Sequence, residues 1–147
     1  MTGFVVLAVT LVGGTLLGVV LRRRDGVLRS AKAKESAVDF GESLGERATL
    51  VQFSTAFCQP CRATRRVLGE VAELVPGVRH IEIDAESRLD LVRTFDILRT
   101  PTVLILNSSG NIVKRASGQP RKADVIAALG LAVPPNVDGM SQHPDGK

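Results

Sequence analysis

Hydrophobic and polar positions fall into two regimes along the 147-residue chain. From Phe4 to Leu21 no charged residue and no proline interrupts the apolar run. As a helix its eighteen residues would rise ~27 Å, close to the ~30 Å hydrocarbon thickness of a bilayer. The run therefore predicts a membrane-spanning helix over 4–21, after a three-residue tail at 1–3. A cleaved secretory signal would need a basic start and a small-residue cleavage site. Here Met1-Thr2-Gly3 carries only the α-amine, and Arg22-Arg23-Arg24 comes directly after the run.

Beyond that run the periodicity changes repeatedly. Residues 35–44 suggest a short amphipathic helix with Val38 and Leu44 inward, ended by Gly45. Thr49–Ser54 is an apolar run of strand formers. From Cys58 to Val75 the apolar residues Val67, Leu68, Val71, Ala72, Leu74 and Val75 recur at helical spacing, and Pro76-Gly77 stops the pattern. Val78–Asp84 alternates as a strand does, and Leu89–Leu98 reads as a helix. Thr102–Asn107 is a continuous strand, Ser108-Ser109-Gly110-Asn111 a turn, and Ile112–Ala116 its hairpin partner. Arg121–Leu129 closes with a helix that Gly130 should end. Strand, helix, strand, helix, strand, strand, helix implies an α/β domain over 37–130, with a mixed sheet flanked by helices. Residues 131–147 hold three prolines and two glycines with few large apolar side chains, which predicts a disordered tail.

Charge sharpens the picture at one place. Residues 22–34 carry six basic side chains (Arg22, Arg23, Arg24, Arg29, Lys32 and Lys34) against Asp25 alone, while 35–130 carry twelve of each sign. The basic excess of the chain thus lies in a juxtamembrane linker, 22–36, where anionic lipid attracts each cation by about 1 kcal/mol. Basic flanks stay on the cytoplasmic side of a span. The chain is therefore expected in the cell membrane as a single-pass protein with residues 22–147 in the cytoplasm. With no Trp or Tyr and only five Phe, platforms for stacking bases are scarce, and nucleic acid is not an expected partner. Gly14 and Gly18 form a G-x-x-x-G within the span, a spacing that can pair two helices into a homodimer.

Both cysteines of the chain sit in Cys58-Gln59-Pro60-Cys61. A loop so small cannot staple a fold, so the pair is chemical. Zinc prefers four ligands; one C-x-x-C supplies two, and His80 and His143 are the only histidines, so no metal is expected. No glycine-rich nucleotide fingerprint occurs either, and the expected redox element is the reversible Cys58–Cys61 disulfide alone. At a strand–helix junction the first-turn N–H groups and the helix terminus would stabilise a Cys58 thiolate. Pro60 suits that first turn, and Arg62 and Arg65 add positive charge. Cys61, one turn on, can resolve a mixed disulfide. The spacing makes Cys58 the exposed nucleophile and Cys61 the buried resolver.

Strand Leu50–Ser54, Phe57-Cys58-Gln59-Pro60-Cys61-Arg62, Asp84, Phe95, Ile97, Thr100-Pro101-Thr102, Gly110 and Gly118 together resemble the thioredoxin family. The resemblance implies that fold for residues 37–130 and a cis-Pro101 beside the dithiol. It also implies substrate pairing at the backbone of Thr100, with Gly118 in the same groove. The active-site surroundings would then be Phe57, Gln59, Pro60, Thr100 and Pro101. The sequence departs from the family pattern at several positions. Phe57 replaces the usual tryptophan and Gln59 the usual glycine. Gln52 falls where the family has a buried carboxylate, and His80 where it has a lysine; Arg66 takes the place of a helix-kinking proline. A glutamine cannot accept a proton, so His80 or water becomes the candidate acceptor for Cys61; the alternative is that His80 simply faces solvent on its strand.

These features lead to an expected thioredoxin-like protein-disulfide reductase tethered to the bilayer. It would act on disulfide-containing proteins and be recharged by a reductase or a low-molecular-weight thiol donor. Two alternatives stay open. One is an extracytoplasmic thioredoxin-like protein serving cytochrome or secreted-protein maturation, and the other is a non-catalytic, redox-sensing docking module.

Overall fold

A computed structural model describes residues 2–24, 29–30 and 38–133. Its elements are α1 (Thr2–Arg24), β1 (Arg29–Ser30), β2 (Ala48–Ser54), α2 (Gln59–Leu74), β3 (Val78–Asp84), α3 (Leu89–Thr94), β4 (Thr102–Asn107), β5 (Ile112–Ser117) and α4 (Lys122–Ala132). From β2 onward the succession is the one the periodicity predicts. One sheet holds the strands in the order β1-β5-β4-β2-β3. β2 and β3 are parallel, and the other neighbours are antiparallel. The two residues of β1 only extend the β5 edge, pairing Arg29 with Arg115 and Ser30 with Lys114.

Every residue of β2 is buried, which is why its apolar side chains do not simply alternate with polar ones, and why Thr49, Gln52 and Ser54 are buried polar groups. Alternate side chains serve two cores. Val51 and Phe53 join Ile81, Ile83, Leu104 and Leu106 beneath Leu91, Phe95 and Phe40. On the opposite face Leu50, Val103 and Ile105 pack on Leu68 and Val71 of α2 and on Val125 and Leu129 of α4. The parity matters for the chemistry. Gln52 and Ser54 share the face of Leu50, and so point toward α2 and its cysteine.

α1 forms over the apolar run, starting two residues before 4 and ending three beyond 21. Its described valines and leucines are 46–66% exposed. The hydroxyls of Thr10 and Thr15 donate to the carbonyls of Val6 and Leu11, at 2.8 and 2.7 Å. Among the described residues no helix is long and apolar enough to cross a membrane. The spanning expectation for 4–21 therefore rests on the sequence pattern, not on the fold.

Three expectations are corrected. No helix forms over 38–44. Gly41, at φ +84°, turns the chain instead, its N–H donating to Asp39 Oδ1 at 2.8 Å. Phe40 is driven into the core, stacked on Phe95 with ring centroids 5.6 Å apart. Val38 and Leu44 do pack inward, but from an irregular segment. The second correction shortens the helix expected over 89–98 to Leu89–Thr94. Asp96 enters the left-handed region at φ +48°, and the Ile97 N–H reaches back to the Val92 carbonyl at 2.8 Å. That turn buries Ile97 and leaves Leu98 92% exposed. Finally, α4 does not stop at Gly130. Ala132 is 3% exposed and Val133 packs on the same layer, so burial outweighs the ~1 kcal/mol penalty of a helical glycine. The tail expected from 131 thus begins with ordered residues, and 134–147, including His143, lie outside the described residues. So do 25–28 and 31–37 of the basic linker and the region before the domain.

Candidate active site

β2 delivers the chain to a short turn, where Cys58 N–H donates to the Thr55 carbonyl at 3.3 Å. Cys58 then caps α2 with extended backbone angles (φ −91°, ψ 101°), and Pro60 lies in the first helical turn. The Cys58 Sγ accepts the Cys61 N–H at 3.2 Å. Cys58 and Cys61 are joined as a disulfide with their Cα atoms 5.2 Å apart. Cys58 is half-buried, whereas Cys61 is 1% exposed. Gln59 and Pro60 face solvent, and Phe57, next to the sulfur, is 100% exposed. Once reduced, a Cys58 thiolate would keep that N–H and the positive end of a sixteen-residue helix.

Beneath Cys61 lies Gln52, fully buried. Its Nε2 donates to the Cys61 carbonyl at 2.9 Å and to Ser54 Oγ at 2.8 Å. Its Oε1 lies 3.2 Å from His80 Nε2. With both amide protons committed, Oε1 must accept, so His80 carries its proton on Nε2. Burial pushes the His80 imidazole below its usual value, with Arg65 acting in the same direction against Glu82 and Glu42. Neutral histidine is therefore the resting form. The structure places its ring behind Gln52, however, and not on the cleft that holds the cysteines.

That cleft, about 440 Å³, is lined by both cysteines together with Ser54, Arg62, Arg65 and Glu82. Arg65 Nε and Nη2 hold Glu82 through a two-pronged ion pair at 2.5 and 2.7 Å. Burial pushes the Glu82 carboxyl up, but the hydrogen bonds from Arg65 and Ser54 outweigh it and hold the group below its usual value. Residue types alone make Arg65 a charge beside the dithiol and give no reason to single out Glu82. The signal for Glu82 is in the strand pattern: Ile81 and Ile83 belong to the opposite core, so parity sends His80, Glu82 and Asp84 toward α2. Parallel pairing then sets Gln52 beside Glu82.

The Thr100–Pro101 bond is cis. This loop meets the dithiol turn through Thr55 and Thr100, whose hydroxyl oxygens are 3.3 Å apart. Gly118 N–H donates to the Pro101 carbonyl at 2.7 Å. Arg115 ties down the other end, its Nη1 and Nη2 each donating at 2.6 Å to the carbonyls of Phe95 and Asp96. Phe57, Cys58, Gln59, Pro60 and Cys61 are thus on one turn, with Thr100 and Pro101 brought against it. Among the described residues no group of three or more His, Cys, Asp or Glu side chains is arranged to hold a metal ion.

A dithiol that caps a helix over a mixed sheet, one sulfur accessible and the other covered, defines a thiol–disulfide oxidoreductase. Comparison with known proteins makes the class specific. The family model described as Thioredoxin matches residues 31–130. The thioredoxin of Mycobacterium tuberculosis is 30% identical over 109 residues, which cover 72% of this chain and 93% of that protein. Thioredoxin H4-1 of rice is 29% identical over 84 residues, 56% of this chain and 64% of its own length. A thioredoxin crystal structure from Nicotiana alata superposes with a TM-score of 0.54 over 60% of this chain and 76% of that one, at 22% identity. The chain belongs to the thioredoxin family.

Proposed function

We propose that this chain is a membrane-tethered protein-disulfide reductase. Residues 4–21 form its single-pass anchor, 22–36 the basic linker, and 37–130 a catalytic domain in the cytoplasm. The carrying observation is the asymmetry of the pair: Cys58 accessible with its Sγ taking a helix N–H, and Cys61 covered. Cys58 as thiolate attacks a disulfide of a partner protein and forms a mixed disulfide. Cys61 then attacks Cys58, releasing the partner's second thiol and closing the bond seen here. Two electrons leave the dithiol in each cycle. A thioredoxin-reductase-type enzyme or a low-molecular-weight thiol restores them. Phe57 and the Thr100–Pro101 loop receive the partner's chain.

Support for the anchor is the uncharged eighteen-residue run of 4–21 in the sequence. Both described threonine hydroxyls are satisfied within the helix, as a hydrocarbon environment requires. The six basic residues of 22–34 favour the cytoplasmic placement of the domain that succeeds them.

The full chain in detergent should reduce insulin disulfides with a dithiol donor. Cys58→Ser should abolish turnover, and Cys61→Ser should trap a mixed disulfide. Turnover that survives Cys58→Ser would refute the enzyme reading. An impermeant maleimide applied to intact cells should label Cys58 only after permeabilisation. Rapid labelling of intact cells would overturn the orientation and favour the extracytoplasmic role.

A further inference from the structure

Resolution of the mixed disulfide requires Cys61 to lose its proton, because a thiol does not attack a disulfide at a useful rate. Gln52, the side chain in contact with the Cys61 backbone, has no basic atom to offer. His80 is turned into Gln52 and donates to it. The acceptor must be sought on the wall of the cleft that Cys61 shares, and among the described residues two carboxylates line it, Glu82 and Asp84. Asp84 is exposed, its Oδ1 already accepting the Glu86 N–H at 2.9 Å. Glu82 is the more buried of the two, 27% exposed at its side chain. It is also linked to Cys61 through the protein, by Ser54 and Gln52 to the Cys61 carbonyl.

We propose that Glu82 accepts the Cys61 proton through the water of this cleft, with Arg65 setting when it can do so. The inference rests on the reductase reading above. Arg65 is 55% exposed at its side chain and meets Glu82 at the surface, where solvent screens the ion pair. It lines the same cleft as Cys61 and therefore moves at little cost toward the negative charge that develops as Cys61 loses its proton. Once it leaves, the burial that already pushes Glu82 upward is no longer countered, and the carboxylate becomes a better base. The groups facing Glu82 are Arg62 and Arg65 from α2, His80 and Asp84 on β3, and the neutral Gln52 and Ser54 on β2.

In this step the Cys61 S–H bond breaks and its proton passes through water to a Glu82 carboxylate oxygen. The Cys61 sulfur forms a bond to Cys58 Sγ while the bond from Cys58 to the partner's sulfur breaks. That electron pair leaves as the partner's thiolate, which takes the proton back from Glu82. The partner gains two electrons, and Glu82 ends as it began.

The test compares the full chain with its Glu82→Gln, Glu82→Asp and Arg65→Gln variants, measuring disulfide-reduction rates from about pH 3 to 9, so that the titration of a carboxyl held below its usual range falls inside the window. Glu82→Gln should lose about a hundredfold in rate, the lower end of the range for an acid–base group, together with the acid limb of the profile. Glu82→Asp should keep the limb at a reduced rate. Arg65→Gln should move the limb to higher pH, because Glu82 then binds its proton more tightly. A Glu82→Gln profile of wild-type shape, even if uniformly lowered, would overturn the proposal. So would an acid limb unmoved in Arg65→Gln, which also decides the matter if Glu82→Gln fails to fold. A wild-type chain without turnover would refute the reductase reading instead.

Discussion

Gln52→Leu isolates the polar contact on which the dithiol rests. Leucine fills a similar volume and suits a central strand, so the change removes hydrogen bonds while keeping the packing. Three groups lose a partner: the Cys61 carbonyl, Ser54 Oγ and His80 Nε2. They do not suffer equally. Ser54 keeps Glu82, and His80 is half-buried, so water can replace the amide there. Those two losses come to about 0.5–1.5 kcal/mol each at most. The Cys61 carbonyl belongs to a residue 1% exposed, and water cannot reach it easily. That carbonyl keeps the Arg65 N–H within α2, but nothing replaces the Gln52 donor, a loss of about 1–1.5 kcal/mol. The total is about 2–4.5 kcal/mol. At roughly 4–8 °C per kcal/mol for a domain of this size, the midpoint should fall by about 8–36 °C. The assay is thermal unfolding of the oxidised full chain in detergent at neutral pH, monitored by circular dichroism. A fall of less than ~3 °C, below the effect of a single kcal/mol, would refute the claim that Gln52 supports Cys61. Gln52→Glu supplies a check of sign. Its buried carboxylate would face a carbonyl, so the variant should gain stability as the pH drops and the acid form can donate to Cys61.

Most of the fold is legible in the sequence because its signals are local and redundant. The runs 49–54 and 102–107 are strands buried on both faces, and the apolar spacing from Val67 to Val75 fits only a helix. The dithiol is legible for a related reason, since C-x-x-C at a strand–helix boundary leaves few other uses. Tertiary contacts decide the rest. Residues 38–44 carry a helical spacing, yet burying Phe40 against Phe95 requires the turn at Gly41. The helix from Leu89 stops early because Asp96 takes a left-handed conformation, which Arg115 fixes from a distant strand. No window of sequence contains that partner. Glu82 is hidden in another way: it reads as one more polar residue on an alternating strand. Only the parity of β3, set by which of its faces meets the Phe95 core, reveals that it points at the cysteines.

Gly45→Ala would press a Cβ into the Ala48 carbonyl oxygen and set it 2.8 Å from the Arg79 nitrogen, both backbone atoms that cannot yield cheaply. It should lose about 1–3 kcal/mol in urea unfolding, and a variant as stable as wild type would contradict that geometry. Phe57→Ala removes a ring that is 100% exposed, so stability should change by less than ~0.5 kcal/mol. The KM for a protein disulfide should nonetheless rise several-fold, while the rate with a small disulfide stays constant; equal effects on both would remove Phe57 from partner binding. The pH dependence of stability should expose His80. Burial holds its folded-state pKa below the usual imidazole value of about 6.5. The unfolded chain thus takes up a proton, as the pH falls through ~6.5, before the folded chain does. The contribution is complete above that value and is lost as the pH drops toward the lowered folded value. Glu82 is also lowered, but its contribution is lost only below the usual carboxylate range, near pH ~4.5. The interval from about pH 7 to about 5.5 therefore isolates the histidine. Wild type should lose urea stability across it, and His80→Gln, which can still donate to Gln52, should be nearly flat. Parallel slopes for the two proteins would show that His80 is not held neutral against Gln52.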